Sequence, residues 1–227
     1  SCVKNIDNDS QNKIGIGGLV GRSLNEGVFS KCSFNGNFVL HSFHIKSLVD
    51  AGGILGYGDT YSGTHSDVKL YSCSTKGKFK VTGSPAISVY GIGSNIGEAY
   101  GCVAGMDFDI QTHGEYYIGP YINPLDVASF AFSPGRCTLC TTYGTIKVGE
   151  PDNPVRVQPV VKPRRLLYNI LIGTFCSEGI LVKNDEYTKD QCAAYTNVEL
   201  YLHDDSKGNA FITSFGLACI TETDYKV

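Results

Sequence analysis

A short pattern recurs along this chain of 227 residues and limits what it can fold into: a cysteine, an apolar residue six positions later, and another two positions beyond that. It reads Cys32/Phe38/Leu40, Cys73/Phe79/Val81, Cys102/Phe108/Ile110, Cys140/Ile146/Val148, Cys192/Val198/Leu200 and Cys219/Tyr225/Val227. Both offsets are even, so on a β-strand these side chains share one face. The cysteines recur unevenly, at intervals in the range of about 20–50 residues that marks stacked repeats, each burying its apolar face against its neighbours. The expected architecture is therefore all-β, a parallel β-helix or solenoid of about six irregular coils.

A second landmark lies upstream of each cysteine strand, an apolar segment punctuated by glycine. These are Ile16–Gly21, Ala51–Gly56, Val89–Ser94, Tyr116–Tyr121, Ile170–Phe175 and Phe211–Gly216. Glycine suits a sharp corner or a close backbone approach. Polar stretches of varying length between landmarks account for the uneven spacing. Composition agrees, with 27 glycines, 14 tyrosines and 11 phenylalanines but only 18% charged residues, against roughly 25% in an average domain.

Paired with the strand that follows, the first two landmarks resemble the GLUG-type repeat. GGLVG precedes Lys31-Cys32-Ser33-Phe34-Asn35-Gly36-Asn37-Phe38, and AGGILG precedes Ser72-Cys73-Ser74-Thr75-Lys76-Gly77-Lys78-Phe79. The resemblance extends over residues 14–148, and beyond 149 it is carried by the Cys/+6/+8 phase. It implies large microbial surface or adhesin-like proteins whose repeats stack as a right-handed parallel β-helix, and it brings no catalytic residues. The chain then divides into GLUG-like coils over 1–149, a proline-rich crossover or arm over 150–165, and further coils of the same domain over 166–227.

That middle segment holds four of the eight prolines, Pro151, Pro154, Pro159 and Pro163. Proline donates no ladder hydrogen bond and biases its neighbours toward extended, unpaired backbone. The segment is either a surface crossover or an arm that docks on another copy. The last repeat-phase strand ends the sequence with an apolar stretch from Ile220 to Val227, and a β-helix has open ends whose unpaired backbone needs covering. End-to-end self-association through these residues is the expected partnership.

Nine cysteines cannot all pair within one chain. Two readings stand open: disulfides with one thiol left over, as in a secreted protein, or free thiols stacked in a buried ladder. The sequon Asn8-Asp9-Ser10 offers a glycosylation site at Asn8 and points to an extracellular or cell-surface location. A net charge of −3 gives no reason to expect nucleic acid, and no apolar run reaches the roughly 20 residues of a membrane span.

The chemistry candidates are few. Asp107 and Asp109 flank Phe108 on the outward face of one strand, as the paired acids of a polysaccharide hydrolase or lyase would. The repeat phase also sets them against Lys78 and Lys80 of the preceding coil, where opposite charges stabilise neighbouring strands. Cys137 and Cys140 have redox and metal spacing but no second ligand pair. The five histidines are scattered, Asp7, Asn8 and Asp9 lack the rest of a calcium loop, and Gly91-Ile92-Gly93 lacks a third glycine for a dinucleotide site. No catalytic residue, metal or cofactor is assigned. The expected function is structural: an extracellular or surface scaffold, adhesin module or filament subunit, with surface glycans as possible ligands. A carbohydrate-active enzyme, or a sugar-binding module built on the tyrosines, is the alternative.

Overall fold

In the long strands more buried side chains tend to alternate with more exposed ones, and this period of two is what the Cys/+6/+8 phase encodes. The computed structural model describes residues 13–23, 26–42, 48–58, 68–84, 87–116, 125–132, 135–159, 170–175, 189–203 and 210–212. These residues are all-β, in parallel sheets. No helix among them is long and apolar enough to cross a membrane.

The chain visits the sheets in rotation. A first circuit contains β1 (Lys13–Gly17), β2 (Val20–Ser23), β3 (Gly27–Ser30) and β4 (Ser33–Ser42). The second contains β5 (Leu48–Gly52), β6 (Leu55–Gly58), β7 (Val68–Tyr71) and β8 (Ser74–Gly83). The third contains β9 (Ile87–Tyr90), β10 (Glu98–Tyr100), β11 (Val103–Thr112) and β12 (Gly114–Tyr116). The fourth contains β13 (Leu125–Ala128), β14 (Arg136–Thr138), β15 (Thr141–Val148) and β16 (Val157–Pro159). The fifth contains β17 (Ile170–Gly173), β18 (Lys189–Asp190) and β19 (Ala193–Leu200), and β20 (Ala210–Ile212) follows. The first sheet runs β1-β5-β9-β13-β17-β20, a middle sheet β18-β14-β10-β7-β3, and a long sheet β19-β15-β11-β8-β4.

Register in the long sheet follows the repeat phase. Phe38 pairs Phe79, Phe79 pairs Phe108, Phe108 pairs Ile146 and Ile146 pairs Val198. The three phenyl rings stack, with centroids 4.5 and 5.4 Å apart and planes within 5° and 9°. With Ala51, Val89, Val127 and Ile172 from the first sheet they form one of two apolar cores. The other core holds Cys73, Cys102, Cys137, Cys140 and Cys192 with Ile54, Ile92 and Phe130. Tyr225 and Cys219 lie outside the described residues.

A conformation invisible in the sequence repeats before each ladder cysteine. Lys31, Ser72, Gly101, Leu139 and Gln191 all have φ between 50° and 61°, turning the chain from the middle sheet into the long one. The amides of the first four donate to the next circuit at 2.8–3.0 Å. A side chain in this left-handed region costs about 1–2 kcal/mol, which glycine avoids at some loss of unfolded-chain entropy. Leu139 is 44% exposed, so little packing opposes its replacement. Leu139→Gly is expected to raise stability by about 0.5–1 kcal/mol, and Gly101→Leu to lower it by a similar amount. Urea denaturation of the two variants beside the parent checks both signs.

Two expectations require correction. The fourth corner is not Tyr116–Tyr121. Leu125–Ala128 pairs Ile87–Tyr90, Gly93 bridges Ala131, and the Ile92 amide donates to Phe130 O at 2.7 Å. Ser129 and Ala131 stand where the third circuit has glycines, so glycine spacing does not mark this corner. Tyr116 instead ends β12, paired with β16. Nor is the described part of the proline segment an unpaired arm. Glu150 and Asn153 bridge across a turn, Val155 is fully buried and bridges Leu202, and β16 is a ladder strand ending at Pro159. Pro151 sits exposed in the turn and Pro154 is half-buried. Pro163, Ile220 and Val227 lie outside the described residues.

Candidate functional site

The outward face of the long sheet presents side chains in columns that run from circuit to circuit. One column reads Val39, Lys80, Asp109, Lys147 and Glu199, alternating in sign over its last four members. Beside it Lys78 pairs Asp107 in register, but its ammonium reaches diagonally to Asp109 Oδ2 at 3.0 Å. Asp107 Oδ1 accepts instead from the Thr145 amide at 2.9 Å. Lys147 also holds Glu150, at 2.6 Å, and the Glu150 carboxylate pushes its ammonium above the ordinary value. The two acids singled out by sequence thus share a face, each tied to a neighbouring strand or circuit. Such exposed pairs contribute about 0–1 kcal/mol.

Farther along this face Tyr143 and Tyr195 stack with centroids 5.5 Å apart while remaining 47% and 64% exposed. His41 Nδ1 lies 2.6 Å from Thr82 Oγ1 at the opposite end. His113 Nε2 meets Asn153 Nδ2 at 3.3 Å, and burial lowers its basicity. His203 is half-buried, and His44 and His65 lie outside the described residues.

Inside the corner, Cys32, Cys73, Cys102, Cys137, Cys140 and Cys192 are all free thiols, including the closely spaced Cys137 and Cys140. Cys73, Cys102 and Cys140 each lie 3.4–3.5 Å from the carbonyl two residues back and from one in the preceding circuit, those of Phe29, Leu70 and Ala99. A hydrogen bond with Cys140, helped by burial, pushes the Cys102 thiol up to about 11. For Cys140 the bond with Cys102 acts downward, but Cys137 and burial act upward and leave it at about 12. Cys73 is pushed up further, first by Cys102 and then by burial. Such thiols are poor nucleophiles at neutral pH.

The sign of the resulting pH dependence follows. An unfolded thiol ionises near its ordinary value of 9.0, while Cys102 and Cys140 keep their protons to about 11 and 12 in the fold. Between these limits the unfolded chain binds fewer protons, so stability is full below pH 9 and falls as pH rises. The expected slope is about 1.4 kcal/mol per pH unit for each thiol. Urea midpoints at pH 8 and 10.5 for the parent and Cys102→Ala measure it, and the variant should lose less.

A third group, missed by sequence reasoning, lies on the other side of the first sheet. Asp50, Ser88 and Asp126 form one column and are 3%, 6% and 2% exposed. Tyr90, two residues along from Ser88, is 2% exposed. Burial pushes its phenol well above the ordinary value, and the carboxylates of Asp126 and Asp50 add to the shift. The phenol therefore stays protonated. The backbones of the two acids are two strand spacings apart, roughly 9.6 Å, at the upper limit of the carboxyl separation in inverting glycosidases. Their burial, however, closes the group to a polymeric substrate. The available signal was a polar residue directly before Ala51 and before Val89, the first residues of two of the glycine-punctuated segments.

Among the described residues no group of three or more His, Cys, Asp or Glu side chains is arranged to hold a metal ion. Asn8 lies outside the described residues. No protein-family model matches this chain, and neither a curated protein nor a solved structure matches it.

Proposed function

We propose that this chain is a non-enzymatic structural protein: a GLUG-type, right-handed parallel β-helix of six coils. It acts in an extracellular or cell-surface scaffold, adhesin or filament, and its copies join end to end. The observation that carries this reading is the common phase in which β4, β8, β11, β15 and β19 pair along the long sheet. Its outward groups bind one another along the stack, as Lys78 with Asp109, Tyr143 with Tyr195 and Asp107 with the Thr145 amide do. An outer surface organised this way favours stiffness and continuation over turnover. Parallel strands stacked in one direction also leave unlike ends, the geometry in which copies meet head to tail and propagate.

Sedimentation velocity over a hundredfold concentration range tests this, with negative-stain microscopy of the same samples. The full chain should form linear oligomers, and a version lacking residues 219–227 should not. A full-length protein that stays monomeric throughout overturns end-to-end assembly. Polysaccharide cleavage that disappears in Asp107→Asn overturns the non-enzymatic reading.

A further inference from the structure

The outward column at the third position after each ladder cysteine reads Asn35, Lys76, Gly105, Tyr143 and Tyr195. Gly105 falls opposite Tyr143, because the pairs Ala104–Thr142 and Phe108–Ile146 bracket them with equal lengths of strand. One side chain is thus missing from an otherwise continuous column. Among the described residues, the only neighbour within 4 Å of a Cβ placed on Gly105 is the Thr75 carbonyl oxygen, at 3.1 Å. Tyr195 covers one face of the Tyr143 ring, and the other looks across the gap toward Lys76.

The ladder itself is interrupted here. Between the bracketing pairs β11 and β15 make no register pairs, Gly144 has φ +103°, and the Thr145 amide is held by the Asp107 side chain. The gap therefore has a glycine floor, an aromatic wall, a lysine wall, and Val103 and Asp107 at its two ends. Lys76 is exposed and makes no ion pair with a described residue.

We propose that this gap is a glycan-binding slot for one pyranose ring carrying a carboxylate, a hexuronate of an acidic polysaccharide. The flanking strands are two spacings apart, roughly 9.6 Å, which leaves about one ring's thickness between the walls. The apolar face of the sugar stacks on Tyr143. Its carboxylate meets the Lys76 ammonium, which supplies the charge complementarity for an acidic over a neutral sugar. Ring hydroxyls donate to Asp107, whose carboxylate has acceptor sites left beside the Thr145 bond. This inference goes beyond the scaffold reading and does not depend on end-to-end assembly. A monomeric chain that binds the sugar would defeat assembly and leave the slot standing.

The test titrates the full chain with trigalacturonate and, separately, with the neutral maltotriose. Calorimetry is read beside tyrosine fluorescence, which is clean because the chain has no tryptophan. Trigalacturonate is expected to bind, more weakly as salt rises, and at least about tenfold more tightly than maltotriose. Gly105→Tyr fills the slot and should abolish binding. Tyr143→Ala, at an exposed position, should weaken it at least about tenfold and carries the test if the filled variant unfolds. Lys76→Gln should erase the preference for the charged sugar. The proposal is overturned if the parent binds neither sugar or Gly105→Tyr binds as the parent does. It is also overturned if that variant changes sedimentation and not sugar binding, which would give the slot to a second copy of the chain.

Discussion

Phe79→Ala is expected to lower the unfolding free energy by about 3–5 kcal/mol, enough to consume much of the stability of an ordinary domain. Phe79 is fully buried, and its ring lies between Phe38 at 4.5 Å and Phe108 at 5.4 Å, with nearly parallel planes on both sides. Truncation removes the apolar transfer term, leaves a cavity, and breaks two stacking contacts together. The fixed strand spacing prevents the flanking rings from closing the gap. Phe38, half-buried in the first circuit, has fewer neighbours to lose, so Phe38→Ala should cost less. Equilibrium urea unfolding of both variants decides the matter. A Phe79→Ala midpoint close to the parent's would mean that the rings are not in this register.

Gly77→Ala is expected to cost about 2–5 kcal/mol, combining backbone strain with overpacking. Its φ is +139°, and an added Cβ would stand 1.8 Å from the Gly36 carbonyl oxygen, a backbone atom that cannot swing aside. The same inward column reads Gly36, Gly77, Met106, Gly144 and Thr196. Met106, the only methionine in the chain, is fully buried between the circuits of Gly77 and Gly144. The one large side chain of this column thus lies between two glycines, and its thioether fills room that they leave. Thermal melting beside a Gly105→Ala control measures this cost, because Gly105 has no positive φ and an added Cβ there would stand 3.1 Å, not 1.8 Å, from a backbone oxygen. Equal melting temperatures would contradict the packing described for this column.

What could be read in advance was whatever depends on a period of two. Even offsets placed Phe38, Phe79, Phe108, Ile146 and Val198 on one face, and the register aligns them in adjacent strands. Features that depend on backbone dihedrals were illegible. Lys31, Ser72, Leu139 and Gln191 adopt the left-handed conformation without being glycine or asparagine, so residue type carried no signal. The fourth corner was misplaced for a related reason: Ser129 and Ala131 fill it, so glycine spacing does not mark it. The charges were placed on the right strands but paired straight across. Side-chain length lets Lys78 reach Asp109 diagonally. Asp50 and Asp126 escaped notice because a polar residue in a short strand reads as a solvated one, and their burial shows only in three dimensions.

The proposed stack of parallel coils is tested most directly by measuring its rise. Val39 and Glu199 occupy the first and fifth members of one outward column, and both are exposed. Four strand spacings separate them, about 19 Å between backbones. Spin labels attached through a keto-bearing unnatural residue at these two positions leave the nine cysteines untouched. Double electron–electron resonance should then give a single distribution centred near that distance, broadened by the label tethers, and unchanged on dilution with unlabelled protein. A distribution centred beyond roughly twice that value, or several resolved distances, would contradict the stack.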